Sequence, residues 1–156
     1  MKSISNNSGF SFYELMVVIA IMAVVAAFAI PSMIGERAET KLRGAVNNLK
    51  GDLNIAKMRT VKENVPVVVQ FYEDHYEIFH DDDSDWILDS GEHRIQNRQL
   101  PAGVSINLGA PNFFNDERTR FNNRGTTDNS GSVMLVNSNG DQQTLELNRL
   151  GHIDIN

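Results

Sequence analysis

Between Phe10 and Ile34 the chain carries a single charge, Glu14, and from Leu15 to Pro31 no side chain is polar. As a helix those 25 residues extend about 37 Å at roughly 1.5 Å per residue. A bilayer's hydrocarbon core is about 30 Å thick. A helix resting on a globular core keeps a polar stripe, and this segment has none. It therefore predicts a transmembrane helix half over residues 10–34. A cleaved secretory signal would end in small residues followed by a loop. Ala27, Ala29 and Ser32 imitate such a site, but the chain runs on into another periodic segment.

In that segment Ala38, Leu42, Ala45, Val46, Leu49, Leu53, Ala56 and Thr60 recur at steps of three and four, the spacing of one helix face. Arg37, Lys41, Arg43, Lys50, Lys57 and Lys62 supply much of the polar remainder. Residues 35–63 are thus predicted to be an amphipathic half of the same long helix, running from about residue 10 to 62. Pro31 removes one backbone donor and is expected to kink it. Gly35, Gly44 and Gly51 each cost about 1 kcal/mol relative to Ala, so this half needs a partner to pack on.

The period changes to two after Asn64. Val65–Tyr72 is β-branched and aromatic, Glu73-Asp74-His75 reads as a turn, and Tyr76–His80 as a return strand. Further strands are expected at Trp86–Leu88, Arg94–Gln99, Val104–Leu108, Thr119–Phe121, Ser132–Val136, Thr144–Asn148 and His152–Ile155, separated by Gly- and Asn-bearing breaks. The fold class that results is α+β: a long N-terminal helix, half transmembrane and half amphipathic, packed on a small, mostly antiparallel β domain over residues 64–156.

Charge divides along the same line. Residues 64–156 hold 15 acidic and 6 basic side chains, whereas 36–63 hold 4 and 7. The acidic sheet domain and the basic half-helix attract one another in principle, within a chain or between neighbours. The acidic balance argues against nucleic acid as a partner, because neutralising phosphates takes several Lys or Arg on one face. The absence of cysteine excludes a disulfide framework, a cysteine zinc site and a cysteine nucleophile.

One loop has the pattern of a cation site. From Asp81 to Glu92, acidic residues stand at positions 1, 3, 5, 9 and 12 of a twelve-residue frame: Asp81, Asp83, Asp85, Asp89 and Glu92. Oxygen ligands at alternate positions suit Ca²⁺, so calcium is the one cofactor the sequence suggests, and none is required. Trp86 stands where such loops carry the Gly of a sharp turn, and would have to take φ > 0 or force another path. The plain alternative is a solvated acidic hairpin tip. Elsewhere no pattern carries catalysis. His75, His80, His93 and His152 form no i, i+4 pair, there is no GxSxG or HExxH, and no enzyme is expected. Trp86 and the Phe113-Phe114 pair read as core rather than as exposed anchors.

The stretch Gly9-Phe10-Ser11-Phe12-Tyr13-Glu14-Leu15 and the apolar run behind it resemble the class-III signal of type IV prepilins. Ser-Phe-Tyr stands where that family usually has Thr-Leu-Ile. The resemblance implies a leader over residues 1–9 and cleavage by prepilin peptidase between Gly9 and Phe10. It implies methylation of the new amine, and pairing of Glu14 with a neighbouring subunit's amine during assembly. A carboxylate in an apolar helix costs about 3 kcal/mol at the bilayer centre, and opposite charges attract strongly where the dielectric is low, so such a pair has a physical rationale. The charged flanks, Lys2 against Arg37, Lys41 and Arg43, do not set an orientation. The resemblance implies a single-pass inner-membrane protein with its C-terminal domain in the periplasm.

Farther along, Leu100-Pro101-Ala102-Gly103-Val104, Phe121…Gly125…Gly131-Ser132-Val133 and Leu150-Gly151-His152-Ile153 resemble the GspH/FimT group of minor pseudopilins and pilins. That implies a structural subunit of the type II secretion pseudopilus, with other minor and major pseudopilins or pilins, prepilin peptidase and the inner membrane as partners. The alternatives are a minor pilin of a type IV pilus, serving assembly or DNA uptake, and a membrane-anchored calcium-binding module.

Overall fold

The computed structural model describes residues 11–156, with side chains described over 11–26 and 37–156. The expected leader, residues 1–9, and the Gly9–Phe10 junction lie outside the described residues. The chain forms two compact units, Met1–Glu36 and Arg37–Asn156.

Helix α1 runs Phe12–Glu63, within two residues of the expected bounds. The membrane-spanning half does not stand: among the described residues, no helix is long and apolar enough to cross a membrane. This finding overturns the transmembrane part of the fold class, and with it the single-pass inner-membrane location.

The second unit is α+β. Its strands are β1 (Val67–Phe71), β2 (His75–His80), β3 (Arg94–Gln99), β4 (Val104–Ile106), β5 (Arg118–Phe121), β6 (Gly131–Asn137), β7 (Gln142–Leu147) and β8 (Ile153–Ile155). They make two four-stranded sheets, ordered β3-β2-β1-β5 and β4-β6-β7-β8. Every strand pair is antiparallel. The β1–β2 hairpin pairs Phe71 with Tyr76 and Val67 with His80, a register that keeps Val67, Val69, Phe71, Tyr76 and Ile78 on one buried face. The strand expected at Trp86–Leu88 is absent. Trp86 has φ 71° and Ser84 φ 68°, left-handed values that end any extended run.

The helix supplies one wall of the core. Leu42, Ala45, Val46, Leu49, Leu53 and Ala56, all on the predicted face, join residues of both sheets in a single apolar cluster. Each fully buried Leu or Val contributes roughly 1.5–3 kcal/mol of transfer free energy, which offsets the helix glycines. Thr60, also on that face and wholly buried, donates its hydroxyl to the Val65 and Phe121 carbonyls at 2.6 and 3.3 Å, fastening the helix end to β5.

Candidate functional site

The acidic loop leaves β2 at His80 and is folded largely by its own carboxylates. Ile87 N donates to Asp85 Oδ1 at 2.7 Å, Asp85 N to Asp83 Oδ1 at 3.3 Å, and Trp86 N to Asp81 Oδ1 at 3.2 Å. These are turns closed by aspartate side chains. Glu92 shuts the loop by accepting from Asp82 N at 2.8 Å and Asp89 N at 3.1 Å.

Carboxylate oxygens of Asp81, Asp83 and Asp85 all lie within 4.8 Å of one another. This donor set is one a divalent cation takes: hard oxygens, two of the residues open to solvent. Asp89 and Glu92 are not part of this group. Trp86, at the sixth position, adopts the left-handed backbone that the frame demands of its Gly.

A cation already stands beside Asp81. That carboxylate is fully buried, and Arg120 Nη1 on β5 donates to its Oδ2 at 2.9 Å. The same guanidinium donates to Asp128 at 2.7 Å and lies 4.3 Å from the centre of the Trp86 ring. Burial by itself would lower the Arg120 pKa; its bonds to Asp81 and Asp128 outweigh that and raise it. Arg118 Nη1 holds the Trp86 carbonyl at 2.8 Å. Two arginines of one strand thus anchor a loop some 30 residues away in sequence, a link that no local pattern signals.

His80 and His93 meet edge to face, ring centroids 5.6 Å apart. His80 Nε2 is buried without a hydrogen-bond partner, 3.0 Å from Glu63 Oε2; that contact is an ion pair only when the ring is protonated. Phe114 is buried and stacks on Phe71 at 5.7 Å, as core.

Glu14 sits in the first turn of α1 and is exposed. Farther along the same helix Ile55, Met58 and Val61 are 48, 68 and 54% exposed. They line a groove of about 700 Å³ together with Lys57, Arg59 and Lys62. The steps of three that unite them were readable from the sequence, but a second apolar stripe was hidden there by the longer one that builds the core.

Comparison with known proteins places these features. A family model described as Type II transport protein GspH matches residues 45–151. A second, the prokaryotic N-terminal methylation motif, matches residues 4–30. No curated protein sequence matches the chain. Among solved structures, the solution structure of Escherichia coli GspH aligns with TM-score 0.58 at 18% identity, over 76% of this chain and 89% of that one. The minor pseudopilin EpsH from the type 2 secretion system of Vibrio cholerae aligns at 0.56 and 10%, over 74% and 96%. The type IV minor pilin FimU of Pseudomonas aeruginosa aligns at 0.56 and 15%, over 76% and 90%. At these identities the likeness is one of fold. With its family model spanning well over half of the sequence, the chain belongs to the GspH family: a pilin-like structural subunit that works among other pilins or pseudopilins, not an enzyme.

Proposed function

We propose that the chain is a minor pseudopilin of a type II secretion system, acting in protein export after processing. Prepilin peptidase removes residues 1–9 by cutting between Gly9 and Phe10, and the new amine is methylated. Glu14, fifth in the mature chain, meets the amine of an adjoining subunit as the filament grows. The unit from Arg37 to Asn156 faces outward near the filament tip. The observation that carries this reading is the joint match of one chain to the methylation motif over residues 4–30 and the GspH model over 45–151.

Mass spectrometry of the chain co-produced with prepilin peptidase tests it. A mature product beginning at a methylated Phe10 is expected, and Gly9→Val abolishes processing. A purified product that still begins at Met1 overturns the reading. Glu14→Ala should be processed yet fail to enter filaments; normal incorporation would remove Glu14 from its assigned role.

The fold likeness to FimU, equal in TM-score to that with EpsH, supports a second reading as a minor pilin of a type IV pilus. Affinity capture of neighbouring subunits separates the two, by whether secretion or pilus components come down.

For the acidic loop, calcium is the cation that suits the three carboxylates. Asp83 and Asp85 would hold it, with Asp81 shared with Arg120. Millimolar Ca²⁺ should raise the melting temperature, and Asp83→Asn with Asp85→Asn should cancel the rise. An unchanged melting curve would dismiss calcium and leave the filament reading intact.

A further inference from the structure

Among the described residues, His80 Nε2 is the one buried side-chain atom left without a hydrogen-bond partner. A buried polar atom is costly to leave unpaired, and His80 is only 9% exposed. Along β2, Tyr76 reaches Asp52 and His80 reaches Glu63, both on α1, so the imidazole faces the end of the helix. Glu63 Oε2 stands 3.0 Å from Nε2 but off the line of its N–H, and no hydrogen bond forms. A hydrogen bond needs its acceptor near that line. A cation shared by the two atoms needs the reverse. At about 2.0–2.1 Å from each, it sits on the nitrogen's axis with the oxygen to one side, and the two ligand atoms then lie about 3 Å apart.

A second imidazole stands beside the first. His80 N donates to the His93 carbonyl at 3.0 Å, so the two residues oppose each other just beyond the paired positions of β2 and β3. Residues opposed in this way present their side chains on one face. The two ring centroids are 5.6 Å apart, close to the roughly 5 Å between two imidazoles on one tetrahedral ion. His93 is exposed and can turn a ring nitrogen inward without disturbing the core. The neighbouring charges leave the space open. Arg59 lies 3.6 Å from the other Glu63 oxygen, Oε1, and Asp81 is held by Arg120 on β5. The remaining histidines each stand beside a single aspartate, His75 by Asp74 and His152 by Asp154.

We propose that Glu63, His80 and His93 form a site for a borderline divalent cation of the Zn²⁺ class, held by Glu63 Oε2, His80 Nε2 and a His93 ring nitrogen, with water in the fourth position. Imidazole suits such ions, whereas Ca²⁺ takes oxygen ligands, so the site is distinct from the acidic loop and shares no ligand with it. Its role is structural: the ion clasps the end of α1 to β2 and to the segment that leads into β3. The proposal stands apart from the filament reading.

Calorimetric titration of the full-length chain, free of any affinity tag, with Zn²⁺ alone tests it. One ion per chain is expected, with a melting temperature raised by several degrees. Co²⁺ in its place should give the visible absorption bands of an imidazole-bound ion. His93→Gln and Glu63→Gln, both at exposed positions, should each weaken Zn²⁺ binding at least about tenfold. Asp83→Asn with Asp85→Asn should leave it unchanged. A chain that neither binds Zn²⁺ nor is stabilised by it overturns the proposal, as does binding that keeps its full strength in His93→Gln or Glu63→Gln. Binding lost in the Asp83 and Asp85 double variant, or in His152→Gln, overturns it as well, because the ion then sits elsewhere.

Discussion

Tyr76 Oη donates a 2.7 Å hydrogen bond to Asp52 Oδ2, tying an inner strand of one sheet to the helix that backs it. Arg98 on the neighbouring strand completes the group, its Nε 2.6 Å from the same oxygen. Asp52 is 8% exposed and Tyr76 wholly buried, so the carboxylate lies inside the interface and is compensated from two sides. Asp52→Ala should leave a phenol and a guanidinium without their acceptor and cost about 2–4 kcal/mol. Tyr76→Phe should cost about 1 kcal/mol. Urea unfolding of the two single variants and the double variant checks both values and their coupling.

The same bond predicts an alkaline limit to stability. Burial, and then the Asp52 carboxylate that the hydroxyl serves, push the Tyr76 pKa far up. An unfolded tyrosine ionises near about 10, so above that pH the unfolded chain binds fewer protons than the folded one. This contribution is therefore complete below about pH 10 and declines as pH rises further. Tyr76→Phe should flatten the decline while lowering stability at neutral pH. Melting curves from pH 7 to about 11 check it, and a wild-type profile that stays level would refute it.

Gly151 has φ +73°, and a β-carbon there would collide with the Gly125 carbonyl oxygen and crowd Lys57. Lys57 reaches across to the Gly151 carbonyl, so the crossing of two loops over the helix depends on a bare backbone. Gly151→Ala should cost at least about 2 kcal/mol. Thermal unfolding measures this against Gly140→Ala, which also replaces a positive-φ glycine but has open space around it.

Arg120 neutralises a carboxylate with no exposed surface. Arg120→Gln should cost about 3–5 kcal/mol by stranding Asp81. Adding Asp81→Asn should return part of that loss, since the stranded charge is then gone. Chemical denaturation of the three variants decides whether the pair is the loop's anchor.

What was legible beforehand was whatever repeats locally. The three- and four-residue spacing from Leu42 to Thr60 named the buried helix face, and Leu42, Ala45, Val46, Leu49, Leu53, Ala56 and Thr60 are all buried. Alternation located the β1–β2 hairpin. Periodicity failed at Trp86–Leu88, because Asp81, Asp83 and Asp85 bend that segment through side-chain bonds instead of leaving it to pair. Hydrophobicity alone also overreached over residues 10–34, where no helix among the described residues is long and apolar enough to cross a membrane. Of the five carboxylates in the calcium frame, the structure gathers Asp81, Asp83 and Asp85; Glu92 instead closes the loop's backbone.

By itself the sequence determined the elements and the family, because helix and strand periods, and the motif from Gly9 to Glu14, are written in neighbouring residues. Only the tertiary structure decided that β5 would lie beside β1, that Asp52 would find Tyr76 and Arg98, and that Asp81 would find Arg120. Those pairings join residues 24 to 54 positions apart, and they form only when burial of one shared core brings their elements together.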